Sequence, residues 1–413
     1  AGQLRREGLV TVENGKAMVV GDLSTATIPA TIEDLIASRI DTLSASERVV
    51  LEVAATIGRS FDVGLLGETT RLSRDELTEV LARLKALKLV RRLREDEQQG
   101  DADHTFRNEL CWEVTNRGIL SSRSREYHNH VGEAIERSRE GNLRPYLEVL
   151  SRHYQSGGLL RRAARFAEQA GVAYEKGYFN REALRCYQRA ILLLRGSEAD
   201  QSDGRAVDSH LAELYMRLGQ VQSRSMMSDD AERSLEKALD FAQEAEDSAL
   251  IGRALIHLGK VSAELRRMDK AGDYLRRAQE IAEEIDDPIL MSDADEEMAQ
   301  WALSEGDFDA ARAALNRALK TARERDDKER IAGILGSLGS YYMRAGDYEL
   351  SERHLSKAHE IAAQTEDRIL QGKLLNNLGV TYIHMERFVD ALNCYLAACE
   401  IRKGIEYRRG VIV

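Results

Sequence analysis

Alanine stands at Ala238, Ala278, Ala318, Ala358 and Ala398, a spacing of 40 residues each time. A period this long restricts a chain to stacked supersecondary units, because one unit alone cannot bury its apolar face. Other columns keep the same step. Leu-Gly occurs at Leu218-Gly219, Leu258-Gly259, Leu338-Gly339 and Leu378-Gly379, with Met298-Ala299 in the remaining slot. Ala231, Ala271, Ala311 and Ala391 form a further column, broken by Ser351; Leu235, Leu275, Leu315, Leu355 and Tyr395 form another. Asp247, Asp287, Asp327 and Asp367 mark where each unit begins.

Each unit reads as two amphipathic helices. In the fourth, residues 328–345 and 348–363 are predicted helices around a tight turn at Gly346-Asp347. Small residues (Gly339, Ala358) fall where helices approach, and Leu335, Tyr342, Tyr348 and Leu355 fill the space between them. An acidic pair before each first helix supplies an N-cap suited to the positive end of the helix dipole. Only three prolines occur in 413 residues, and Pro29, Pro145 and Pro288 all read as lying at or near helix starts. So few breakers, with 31% charged and 6% aromatic residues, point to an almost wholly helical chain.

The spacing Leu-Gly-x2-Tyr, then Ala, a bulky residue and Ala resembles the tetratricopeptide repeat. One more unit precedes the array in the same frame, at Gly171, Tyr174, Ala183, Tyr187 and Ala190, with a loop expected over residues 196–205. Six repeats are therefore expected. The last column positions reach Tyr407, aligned with Asp367, and the chain begins without Met; both read as an excerpt of a longer protein.

The first third reads differently. Residues 9–20 form a predicted hairpin about Asn14-Gly15. After Pro29, an apolar stripe of Ile32, Leu35, Ile36, Ile40 and Leu43 predicts a helix, followed by one over 47–57 capped by Ser44 or Ser46. Further helices are expected around 63–68 and 73–87, the latter opened by the capping box at Ser73 and Glu76. Strands near 89–93 and 104–107 complete a winged-helix pattern. Residues 28–62 and 106–136 resemble the segments that follow the nucleotide-binding core in bacterial STAND and AAA-like signalling ATPases. In that resemblance Asn108 replaces a family His.

The expected organisation is a linker or hairpin over 1–28, a winged-helix-like domain with trailing helices over 29–140, a first repeat over 141–200 and the 40-residue array over 201–413. The expected fold class is all-α, a tetratricopeptide-repeat superhelix preceded by a small winged-helix-like domain. The resemblance implies a non-catalytic sensor or scaffold segment that regulates an upstream ATPase or kinase, while the sparse cysteines point to a reducing, cytoplasmic location. It also leaves open a STAND-type transcription regulator whose winged helix or flank binds DNA.

Catalytic motifs are not matched. The nearest approach to a phosphate-binding loop is Gly252…Gly259-Lys260-Val261, which has the wrong spacing and lies mid-helix. Any ATP and Mg²⁺ are expected only upstream, and no cofactor is expected in this chain. Cys394 and Cys399, like His354 and His359, are five apart, so on a helix they diverge by about 140°. His128 and His130 diverge as well, and four cysteines (Cys111, Cys186, Cys394, Cys399) make no disulfide framework. No run of 18 apolar residues offers a membrane span.

Net charge is −11, and residues 201–413 carry 29 basic against 40 acidic side chains, a poor match for nucleic acid or anionic lipid. The basic run Arg83, Lys85, Lys88, Arg91, Arg92 and Arg94 could meet phosphates, but five acidic residues follow within ten positions. A groove is the better candidate. The inward positions of the repeat are Arg217, Gln220 and Arg224; Arg253, His257 and Lys260; Asp293, Glu296, Glu297 and Gln300; Ser337, Ser340 and Arg344; and Lys373, Asn376, Asn377 and His384. These run from basic through acidic to amide-rich, and Asn can both donate to and accept from a peptide backbone. A protein or peptide partner is expected. Gly333 and Gly336, two glycines in one first helix, read either as a flexible joint or as room for a ligand backbone.

Overall fold

The computed structural model describes residues 10–13, 16–19, 31–98, 100–197, 204–365 and 367–410. The chain divides into two compact units, residues 1–159 and 160–413.

In the first unit, β1 (Val10–Glu13) and β2 (Lys16–Val19) pair antiparallel, with Val10 opposite Val19. The expected turn, Asn14-Gly15, lies outside the described residues, as does Pro29. Four helices follow: α1 (Ile32–Asp41), α2 (Ala45–Ile57), α3 (Val63–Thr70) and α4 (Arg74–Ala86). Ser44, not Ser46, caps α2 through a reciprocal bond with Glu47, and Ser73 does the same with Glu76 for α4. Two strands flank the connection after α4: β4 (Val90–Arg92) and β5 (His104–Phe106). A short β3 (Ser60–Phe61), not foreseen, pairs with the far side of β5 to give the order β3-β5-β4. The stripe on α1 is narrower than expected: Ile36 and Ile40 are buried, but Ile32, in the first turn, is 66% exposed.

Two further helices, α5 (Glu109–Gly118) and α6 (Ser121–Ser138), lead to α7 (Leu147–Ser156). Asn108 caps α5 by accepting from the Cys111 N–H at 2.9 Å. The core of this unit joins Leu51 and Ala54 of α2 with Phe61, Leu66, Leu84, Leu89, Phe106 and Val131, all buried. Its polar ties are specific. Trp112 Nε1 donates to the Ala55 carbonyl at 2.9 Å, and the Tyr127 hydroxyl donates to buried Glu52 at 3.0 Å.

The second unit is six helix pairs in a tetratricopeptide-like superhelical array. They are α8 (Leu160–Lys176) with α9 (Asn180–Gly196), α10 (Gly204–Arg224) with α11 (Ser228–Glu244), and α12 (Ser248–Glu264) with α13 (Met268–Glu284). Next come α14 (Pro288–Glu305) with α15 (Phe308–Glu324), α16 (Lys328–Ala345) with α17 (Tyr348–Gln364), and α18 (Arg368–His384) with α19 (Phe388–Gly410). The periodic columns are its core: Ala238, Ala278, Ala318, Ala358, Leu235, Leu315 and Leu355 are all fully buried. Glycine stands beside that column because the helices touch there. A Cβ on Gly219, Gly259 or Gly339 would lie 2.7, 2.7 and 2.4 Å from Leu235, Leu275 and Leu355, closer than real contacts allow.

Asp247, Asp287, Asp327 and Asp367 cap the first helices as expected, each accepting a backbone N–H of the first turn. Pro288 occupies the first helical position behind Asp287. The joints between helices share one geometry. Met226, Glu246, Arg266, Asp286, Gly306, Asp326, Gly346 and Glu386 all take positive φ, so from Met226 to Gly346 a left-handed residue recurs every 20 positions. The next residue then donates back into the helix, as from Asp347 to the Tyr342 carbonyl at 2.9 Å.

Candidate functional site

Successive first helices pack directly on one another, α10 on α12, α12 on α14 and α16 on α18. These first helices form a wall, and the inward positions expected from the sequence lie along it. Most of those side chains reach across to the neighbouring first helix. Gln220 and His257 approach to 2.7 Å through their side-chain nitrogens, Lys260 pairs with Glu297 at 3.1 Å, and Asn377 donates to Ser340 at 3.1 Å. Arg217 lies 4.0 Å from Glu168, and Arg224 pairs with Glu175, both acids on α8.

Several expected groove residues remain open. Arg224, Arg253, Lys260, Gln300, Arg344, Lys373, Asn376 and His384 are exposed. Arg217, Gln220, His257, Asp293, Glu296, Glu297, Ser337, Ser340 and Asn377 are half-buried. His384 stacks almost parallel on Tyr348, with ring centres 5.1 Å apart.

Where α10 and α12 lie side by side, Gln220, Ser223, Arg224, His257 and Lys260 line a cavity of about 220 Å³. Leu235 and Val261 also line it. Burial pushes the His257 imidazole down to about 4, helped by the charges of Lys260, Arg253 and Arg224. It is therefore neutral at physiological pH. On α14 the environment is opposite in sign. Burial raises the Glu296 carboxyl to about 7 against the pull of Arg330, with Asp293 and Glu297 pushing the same way.

Arg330 was not foreseen as part of this wall. It joins Asp293 at 2.6 Å, Glu296 at 3.9 Å and Asp327 at 3.6 Å. A signal existed, because Arg330 interrupts the column of Leu250, Leu290 and Leu370. Buried Asp295 was missed in the same way: it replaces the leucine of Leu255, Leu335 and Leu375. The two glycines of α16 differ. A Cβ on Gly336 would sit 2.7 Å from Leu374, so close helix approach explains it, whereas Gly333 faces open space. Gly252 and Gly259 are packing glycines too, set against Leu290 and Leu275.

In the first unit the basic run is partly spent on internal pairs. Arg91 grips Glu97 with both guanidinium nitrogens, and Arg83 lies 3.9 Å from Glu47. Lys85, Lys88 and Arg92 remain exposed. Among the described residues no three His, Cys, Asp or Glu side chains gather as a metal site, and no helix is long and apolar enough to cross a membrane.

Fold and wall together define a tetratricopeptide-type helical scaffold. Tetratricopeptide repeat family models match residues 252–285 and 330–404. No curated protein matches the sequence significantly. Among solved structures, the chain is similar to a Signal Transduction ATPase with Numerous Domains (STAND) protein with a tetratricopeptide repeat sensor from Pyrococcus horikoshii. The TM-score is 0.57 at 15% identity, covering 93% of this chain and 55% of that one. This chain thus spans about half the length of that protein. It is also similar to the apo form of RapI (TM-score 0.52, 15% identity, 68% and 99% covered). A third likeness is to aspartyl phosphate phosphatase F from Bacillus subtilis (TM-score 0.51, 14% identity, 91% and 96% covered). At these identities the likeness is one of fold.

Proposed function

We propose that this chain is a non-catalytic sensor and scaffold segment of a bacterial signalling ATPase. In this reading the repeat wall binds a protein or peptide segment, and the first unit passes that event to an ATPase or kinase domain of the same protein. The observation that carries the reading is the wall itself. First helices stacked side by side present a basic stretch on α10 and α12, an acidic one on α14 and an amide-bearing one on α18. Such a sequence of charges selects one orientation of an extended ligand, since reversing it sets like charges face to face. Coupling follows if the ligand prefers one arrangement of the two units over another. The likeness to a STAND protein with a repeat sensor supports this assignment at the level of fold.

Peptides selected from a random library on the immobilised chain supply the test. Asn376→Ala with Asn377→Ala, or Lys260→Gln, should weaken a selected peptide at least about tenfold, a difference of about 1.4 kcal/mol. Unchanged affinity in both variants would remove the groove assignment.

The competing reading is a transcription regulator. In this reading the order β3-β5-β4 after α4 would act as a winged helix, with exposed Lys85, Lys88 and Arg92 contacting phosphates. A gel shift of duplex DNA at micromolar chain, weakened by added salt and by charge removal at those three residues, would establish it.

A further inference from the structure

Helix α19 breaks two columns that every other unit keeps. At the position of Val389 the preceding units carry Arg181, Asp229, Asp269, Asp309 and Glu349. At the position of Leu396 they carry Gln188, Glu236, Arg276, Asn316 and Ser356. All of these polar side chains are exposed, although each of their helices has a further unit packed on it. Val389 and Leu396 are exposed as well, at 73% and 56%. A further repeat stacked in the same register would therefore leave both in water. Leu392, between them, is different in kind. Its counterparts are met by the next unit: Glu232 by Arg267, Gly272 by Trp301 and Glu352 by Tyr382.

The spacing of these residues is that of a helix-packing seam. Val389, Leu392, Leu396 and Cys399 follow one another at steps of 3, 4 and 3, which places them on one stripe of α19. The pattern is symmetric about position 394. A copy running in the opposite direction thus sets Leu392 against Leu396 and Val389 against Cys399. Lys403 extends the stripe by four residues and is exposed, 3.5 Å from Glu400. A parallel copy would place this ammonium on its own counterpart. An antiparallel copy carries it past Val389, toward the joint where Glu386 is exposed. Arg387 of that joint is already held by Glu352 and Asp390. The charge at Lys403 therefore selects the antiparallel pairing.

We infer that α19 is a self-association surface, on which a second copy of this chain docks antiparallel through Val389, Leu392, Leu396 and Cys399. The inference goes beyond the groove reading and does not rest on it, because the stripe lies on a second helix and the groove on first helices. Both helices are folded before they meet, so little chain ordering opposes the pairing. The seam spans about three helical turns, which places the dimer at the weak end of specific interfaces.

Sedimentation equilibrium of the chain at micromolar concentrations should show a reversible dimer. Val389→Asp with Leu396→Arg installs residues that other units carry at these positions. It should weaken the dimer at least about tenfold while leaving the monomer's melting temperature unchanged. Lys403→Glu should weaken it as well, since two acids then meet at each end. Cross-linking reads the direction of the pair. With Cys399→Ser as background, Leu392→Cys and Leu396→Cys chains oxidised with diamide should cross-link when mixed, and far less when each is treated alone. A chain that stays monomeric overturns the inference, as does a dimer indifferent to the double substitution. Cross-linking within each single variant but not between them overturns the antiparallel seam.

Discussion

Asp295 is buried in α14 and receives two hydrogen bonds from Arg317 of α15, one of them from Nε at 3.1 Å. Gln279 of α13 adds a third at 2.8 Å. The repeats on either side hold leucine at the position of Asp295, so this carboxylate stands where the array otherwise keeps its apolar packing. On either side of it, one cluster of buried apolar residues runs from Leu255 to Ala294 and another from Ala299 to Leu378.

Removing one partner leaves a buried charge uncompensated. Arg317→Leu should cost about 2–3 kcal/mol, somewhat below a fully buried pair because Arg317 keeps its outer end in water. Asp295→Leu combined with Arg317→Leu should return to within about 1 kcal/mol of the parent. Chemical denaturation of the two variants checks this, and equal losses in both would refute it.

Glycines of the array should respond with opposite signs. Gly339→Ala drives a methyl into Leu355 and should cost about 1–3 kcal/mol despite better helix propensity. Gly333→Ala meets nothing within 4 Å and should gain about 0.5–1 kcal/mol. Thermal unfolding of the pair of variants distinguishes them, and protection of α16 amides in hydrogen exchange should rise only in the second.

Left-handed joints give a third expectation. Met226 is 91% exposed and holds positive φ with a full side chain. Met226→Gly should therefore stabilise by about 1 kcal/mol, and Gly346→Ala should destabilise by a similar amount. Melting temperatures moving in the same direction would contradict the shared geometry.

Two buried titratable groups act in opposite directions with pH. Burial, and then the charges of His128 and Arg152, push the His153 imidazole down to about 3. Its contribution is complete above the unfolded value of about 6.5 and is lost as pH falls from there toward 3. Glu296 is raised to about 7, so its contribution is complete below the unfolded value of about 4.5 and is lost as pH rises from 4.5 to 7. Glu296→Gln should remove the second slope and His153→Gln the first. Hydrogen exchange of α14 and α7 over pH 4–8 separates the two, and slopes unaltered by either substitution would refute the assignment.

The array was legible because its constraints are local and repeated. The fourth unit's first helix was predicted over 328–345 and found as Lys328–Ala345, since an Asp cap and a Gly joint bound it in sequence. The face-to-face positions of the first helices were legible as a register, but their pairings were not. Gln220 meets His257 across 37 residues, and only the side-by-side packing of α10 and α12 brings them together. Arg330 and Asp295 escape the repeat pattern for a different reason: each breaks the column in which it stands. Asn108, noted as a departure from a family pattern, has a plain local role as the cap of α5.

The joints carry one last implication. From Met226 to Gly346 one left-handed residue reverses the chain every 20 positions, so these joints repeat a single local geometry. Inserting or deleting a 40-residue unit would lengthen or shorten the wall by one first helix while leaving every remaining joint as it was. On the proposed reading, such a molecule would gauge the span of its ligand in whole repeats, its reach changing stepwise.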